Sequence, residues 1–206
     1  MIVLTADQRN SRATADAAGP TLAHIEARWS ARLHLAPERT AGDEIQMLVD
    51  SAATALEITL DLTRSGRWSV GIGVGTVRLP LGSHVRESAG AAFIAARDAV
   101  DRAKKSLTHC AVSAEPGHPL ASDAESLIDL LLLLRARRTP EGWELQELLS
   151  SGLSQAEAAA ALGITPQSAS QRARVAGLRV EEAATVALAN LLERLDAEVT
   201  TPGEAH

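Results

Sequence analysis

Six side chains between Gln167 and Arg174 have the types that read nucleic acid. Gln167, Ser168, Ser170, Gln171, Arg172 and Arg174 follow one another with no carboxylate among them. Amides and guanidinium groups match the donors and acceptors of base edges, and hydroxyls and arginines hold phosphate oxygens. The surrounding stretch, residues 153–178, reads LSQAEAAAALGITPQSASQRARVAGL. It predicts two short helices joined at Leu162-Gly163-Ile164, where Gly163 takes the positive φ of a tight turn at little steric cost. Thr165 is the expected cap of the second helix, with Pro166 at its first position, where a missing N–H costs nothing. Ala159, Leu162, Ile164, Ala169 and Ala173 fall where two crossing helices need small or apolar residues. This is the arrangement that lays one helix in the major groove of DNA. The plainer alternative is a helical hairpin that packs only on its own chain, although a solvated helix face normally mixes glutamates into such a run.

A second set of residues lies near the start of the chain. Asp7 ends an apolar strand and Asp43 sits at the tip of an expected hairpin, so neighbouring strands would bring both carboxylates to one end of a sheet. Two such oxygen donors suit Mg²⁺ bound together with substrate phosphates. The alternatives are a turn residue for Asp43 and a solvated strand end for Asp7. Gly71, Gly73 and Gly75 alternate along another strand and leave one face bare, open to another backbone, a flat ligand or a dimer partner. Arg97 lies on a helix from which it can reach a phosphate or simply snorkel to solvent.

Composition narrows the classes. The chain has 206 residues, a formal charge of −6, no tyrosine and one phenylalanine. Stacking platforms for single strands are therefore not expected, nor is a uniformly basic coat. A local basic surface remains open through Arg135, Arg137, Arg138, Arg172, Arg174 and Arg179. The single cysteine, Cys110, excludes an internal disulfide framework, fits a reducing cytosol, and reads as a small buried hydrophobe. No secretory leader pattern opens the sequence, and the leucine-rich run 127–134 is too short to span a bilayer, so a cytoplasmic protein without membrane attachment is expected.

The elements that must position these residues alternate in the first half. Strands are expected at 2–6, 39–41, 45–49, 68–77 and 108–114, and helices at 20–34, 52–64 and 90–105. A Pro/Gly/His-containing break at 115–120 ends this section. Beyond it the pattern is helical, at 122–138, 143–150, the two helices of the hairpin, and 180–198, with a frayed tail over 200–206. The expected organisation is α+β, a domain over 1–115 followed by an all-helical one over 121–199, with the helix 122–138 available for coupling or a dimer seam.

Several motifs fall in a known order: Ala6-Asp7 with Asn10-Ser11, Thr40-Ala41-Gly42-Asp43-Glu44, Val70-Gly71-Ile72-Gly73-Val74-Gly75, and Ala95-Ala96-Arg97. In that order they resemble class III nucleotide cyclase homology domains. The wider pattern is similar to SatD-like bacterial proteins, which join such a domain to a helix-turn-helix. The resemblance implies a ferredoxin-like fold, often dimeric. It implies nucleotide-binding roles for Asp7, Asn10, Ser11, Gly42, Asp43 and Arg97, with Asp7 and Asp43 as ligands of Mg²⁺ carried with the nucleotide. Phe93 stands where catalytic members carry an asparagine, and no base-selecting lysine is evident near the hairpin. The resulting expectation is a homodimeric DNA-binding regulator whose cyclase-like domain binds a nucleotide without turning it over. Its DNA contacts would come from Thr165, Gln167, Ser168, Ser170, Gln171, Arg172 and Arg174. The alternatives are a divergent purine nucleotide cyclase with a DNA-binding tail, and an assembly module that makes protein contacts only.

Overall fold

The computed structural model describes residues 1–201. The tail expected at 200–206 lies outside them from residue 202 on. The chain is α+β, with a five-stranded mixed sheet and, among the described residues, eight α-helices. No helix among these residues is long and apolar enough to cross a membrane. Two compact units are present, Met1–Asp129 with the segment from Ala187 on, and Leu130–Val186.

In the first unit β1 (Ile2–Gln8) leads to α1 (Ala18–Trp29), and β2 (Glu38–Ala41) turns at Gly42 into β3 (Glu44–Val49). Then come α2 (Ala52–Arg64), β4 (Trp68–Gly75), α3 (Ala91–Ala103) and β5 (Cys110–Glu115). The strand order is β2-β3-β1-β4-β5, with every neighbouring pair antiparallel except β4 and β5. Register sorts the side chains into two faces, because paired residues point the same way. Leu4 pairs with Met47 and Ile72, and Ile72 with Val112, giving one face that is apolar across four strands. It carries the core with α1 and α2, where Ile25, Trp29, Leu56 and Ile58 are fully buried. Trp29 Nε1 donates to Glu57 Oε2 at 3.0 Å and ties the two helices together.

The other face carries the glycine stripe, and its own helix fills it. A Cβ on Gly73 would lie 2.2 Å from the Ala96 amide nitrogen, and one on Gly71 would lie 2.3 Å from that of Val100. Of the three occupants that a bare stripe admits, the sheet has taken another backbone, that of α3. The small residues Ala92, Ala96, Ala99 and Ala103 on α3 complete this close approach. Cys110 is fully buried in β5, and burial pushes its thiol pKa up, as an inert small hydrophobe requires.

The long helix α4 (Pro119–Ala136) begins in this unit and closes the outer edge of β5. Glu125 Oε2 accepts from the Val112 N–H at 2.7 Å, and Arg102 Nη2 donates to the Val112 carbonyl at 2.6 Å. An edge that would otherwise be open for pairing is thus capped by side chains.

The second unit contains α5 (Pro140–Ser150), α6 (Gln155–Ala161) and α7 (Pro166–Val175), and α8 (Leu178–Thr200) starts in it. Leu145, Ala158, Ala159 and Ala169 form the buried centre of the three short helices, with Leu162, Ile164 and Ala173 packed around it. Beside them Arg135 and Arg138 are buried against Glu181, which accepts from both. Their guanidinium carbons lie 4.8 and 4.5 Å from the centre of the Trp143 ring. These two arginines are therefore internal, which corrects the expectation that they add to a basic surface. Paired with a carboxylate and stacked on an indole, they avoid the large cost of an isolated buried charge.

Candidate functional site

The face of α7 is built by its two ends. Ser154 opens α6 with a reciprocal capping box to Glu157, and Gly163, at φ +63°, turns the chain after Leu162. Thr165 Oγ1 accepts from the Ser168 N–H at 3.1 Å, and Pro166 follows at the first position. At the other end, Arg138 donates to the carbonyl of Ala176 through Nε at 3.2 Å and Nη2 at 3.0 Å. A cation on the last carbonyls suits the negative end of a helix. Ala169 points inward, which leaves Gln167, Ser168, Ser170, Gln171 and Arg174 exposed.

Several members of the set have partners. Arg174 donates to Gln171 Oε1 from Nε and Nη2, at 3.2 and 2.8 Å. Arg172 is half-buried and faces Glu144 across 3.6 Å. The Thr165 hydroxyl is committed to the cap and to Ser168 Oγ at 2.9 Å. A cleft of about 300 Å³ flanks this side of α7, with Arg137, Thr139, Glu141, Gln171 and Arg172 on its walls. Glu141 places negative charge there. The open polar surface is thus the stripe formed by Gln167, Ser170, Gln171 and Arg174.

The sheet unit gathers a second group at the end of β1. Asp7 pairs with Glu44 in the register, so the hairpin tip with Gly42 and Asp43 comes to the same sheet end as Asp7. Gln8 N–H donates to the Asp43 carbonyl at 3.2 Å. Gly42 has φ +54° and makes the turn. Asn10 has φ +55°, and its carbonyl accepts from the Ala13 N–H at 2.8 Å in a tight turn that also contains Ser11. Gln8 pins this loop by donating to Thr14 Oγ1 and the Ala15 carbonyl and accepting from the Ala17 N–H.

Two of the charged candidates here, Asp7 and Arg97, are already paired. Lys104 Nζ lies 3.1 Å from Asp7 Oδ2 and 3.2 Å from Asp101 Oδ1. Desolvation works against the Lys104 charge, but the two aspartates more than offset it, and its pKa is raised. Arg97 is bound to the buried Glu44, whose other oxygen accepts from Thr40 Oγ1 at 2.6 Å. Gln46 donates to the buried Thr5 hydroxyl at 2.9 Å. Phe93 is half-buried and packs against the cluster of Val3, Leu48, Ala92 and Ala96.

Glu44, Lys104 and Thr5 were absent from the expected site. Glu44 adjoins Asp43 in the hairpin and carried a signal, since a carboxylate at that strand position must face Arg97 or remain unpaired under α3. Lys104 carried none, because its meeting with Asp7 depends on the crossing of α3 over β1. Among the described residues no group of three or more His, Cys, Asp or Glu side chains is placed to hold a metal ion. No family model, curated protein or solved structure matches the chain.

Proposed function

We propose that this protein is a transcriptional regulator that binds duplex DNA through α7. In this reading α6 and α7 are a helix-turn-helix, and α7 is the helix that enters the major groove. One observation carries it: the outer stripe of α7 is exposed, free of acids and held at both ends by caps. Gln167 and Gln171 are the candidates for base edges. Ser168, Ser170, Arg172 and Arg174 are suited to phosphate and base contacts, and Thr165 shapes the N-terminus of the helix. The net charge of −6 confines affinity for DNA to this local surface.

The sheet unit is the sensing part in this reading. The succession β1-α1-β2-β3-α2-β4, with strand order β2-β3-β1-β4 and α1 tied to α2 on one face, supports a ferredoxin-like, cyclase-related assignment. A nucleotide would sit at the Asp7–Asp43 end, near Asn10, Ser11, Gly42 and Arg97. Mg²⁺ fits there only as a companion of the phosphates, since Lys104 must first release Asp7. An apolar, half-buried Phe93, where the resembled catalytic members carry an asparagine, favours binding over turnover.

The deciding experiment selects bound sequences from a random duplex library and measures affinity for them. Replacing Arg172 and Arg174 by alanine is expected to weaken binding by about tenfold to a hundredfold and to flatten its salt dependence. Equal affinity of the double variant and the parent at physiological salt would remove α7 from the DNA.

A further inference from the structure

Every wall of the cleft beside α7 belongs to the helical unit. The cleft lies where the first turn of α5 meets the last two turns of α7. Gly142 permits that meeting, since a Cβ there would lie 2.9 Å from Arg138 Cγ and 3.0 Å from Ala176 Cβ. The volume of about 300 Å³ is at the small end of the range for ligand sites and has room for one ring with a substituent. Val175, 68 % exposed, gives it an apolar wall.

The charges on its walls are unevenly answered. Arg138 is spent on Glu181 and the Ala176 carbonyl. Glu141 is met by the first turn of its own helix. Its own N–H, then the Thr139 hydroxyl, hold its carboxyl below the usual range, and the charge of Arg172 adds to them. Arg172 lies 3.6 Å from Glu144, too far for a hydrogen bond, so its donors stay open to a ligand. Arg137 is exposed, and among the described residues no carboxylate or carbonyl accepts from its side chain. Two guanidiniums with donors to spare thus line the same cleft as an exposed valine.

We infer that this cleft binds a small organic anion, a carboxylate or phosphate ester carried on a flat apolar body. Arg137 and Arg172 hold the anionic group, and the body lies on Val175. A guanidinium fork suits either anion, because its paired N–H groups match two oxygens. An inorganic ion would leave the valine wall unused. Gln171 and Arg172 also belong to the outer set of α7, so an occupant draws on groups that the proposed DNA contact uses. The binding itself does not depend on α7 contacting DNA.

Amide chemical shifts of the ¹⁵N-labelled full chain test this during titration with phenyl phosphate, benzoate and neutral benzamide. The two anions should move the amides of 139–142 and 171–176 together, with millimolar dissociation constants. Benzamide should bind about tenfold more weakly. Arg137→Gln, at an exposed position, should keep the parent's melting and lose about tenfold in affinity for both anions. Glu141→Gln removes the acid from the wall and should gain severalfold, a direction that mere loosening of the cleft does not produce. Equal binding of benzoate and benzamide, or an Arg137→Gln variant that binds like the parent, overturns the anion site. Inorganic phosphate that moves the same amides as readily as phenyl phosphate overturns the organic ligand. A parent that ignores every probe overturns the site outright. If a DNA duplex of random sequence then moves these amides, the two arginines belong to backbone phosphates instead.

Discussion

The two units treat their charged side chains in opposite ways. In the sheet unit two of the candidate residues are spent on neighbouring charges: Asp7 on Lys104, and Arg97 on Glu44. In the helical unit Arg135, Arg138 and Glu181 are buried together, and the stripe on α7 is left exposed. A ligand at the end of β1 must first break existing pairs, which lowers its net gain by their worth. In the proposed reading, DNA at Gln167, Ser170, Gln171 and Arg174 would displace water and the two hydrogen bonds from Arg174 to Gln171. The lesson is that residue type nominates a site, but prior commitments decide how much of its energy remains for a ligand.

The sharpest contrast in packing is at Gly73. Gly73→Ala drives a Cβ into the backbone of α3, where the neighbour cannot rotate away. The expected cost is about 3 kcal/mol or more, a fall in melting temperature on the order of 10 °C. Gly19→Ala, in the first turn of α1 with nothing within 4 Å, serves as the control. It should leave stability unchanged or raise it by about 0.5 kcal/mol. Equal melting of the two variants would show that α3 does not lie on the stripe as closely as described.

Charge burial gives the next contrast. Arg138→Met removes one of two guanidiniums from a buried carboxylate and leaves the Ala176 carbonyl without that donor. A loss of about 2–3 kcal/mol is expected, with faster amide exchange along α7. Lys104→Met opens a partly exposed pair and should cost no more than about 1 kcal/mol. It should also free Asp7, so Mg²⁺ with ATP or GTP should raise the melting temperature of this variant more than that of the parent. A larger loss from Lys104→Met than from Arg138→Met would reverse the comparison. Absence of any ligand shift in either protein would remove the nucleotide from the end of β1.

Much of this was legible in the sequence. The turn at Gly163 and the cap at Thr165 rest on local backbone chemistry, and both stand where the residues place them. The helix Ala52–Arg64 was readable from its period alone. By contrast, α5 begins at Pro140 behind the Thr139 cap, three residues before the expected start at 143. The same Thr-Pro signal was read at Thr165-Pro166 and overlooked there. The break at 115–120 marks where strands stop, but α4 still packs on β5 through Glu125, a contact that no local pattern announces. Residue type alone also placed Arg135 and Arg138 at the surface. Glu181, which buries them, lies more than forty positions away, and long-range pairing of that kind leaves no periodic trace.

The smallest expected effect tests an unbalanced group in the sheet unit. His109 sits just before β5 with φ +55°, and its carbonyl accepts from the Val70 N–H at 2.8 Å. Its Nδ1 is buried without a hydrogen-bond partner. Burial, then the nearby charge of Arg9, holds its pKa below the ordinary imidazole value, against an opposing hydrogen bond to the Ala103 backbone. The unfolded chain therefore takes up this proton at a higher pH than the folded one does. The stabilisation from a neutral His109 is complete above the unfolded pKa and is lost as pH falls toward the folded one. His109→Asn keeps a residue that tolerates positive φ and removes the titration. Between about pH 7.5 and about pH 5.5 most carboxylates stay ionised, so the fall in melting temperature over that window should be smaller in the variant than in the parent. An unchanged fall would place the acid sensitivity elsewhere, and the helical unit, whose described residues include no histidine, would leave His24, His34, His84 and His118 as the groups to replace next.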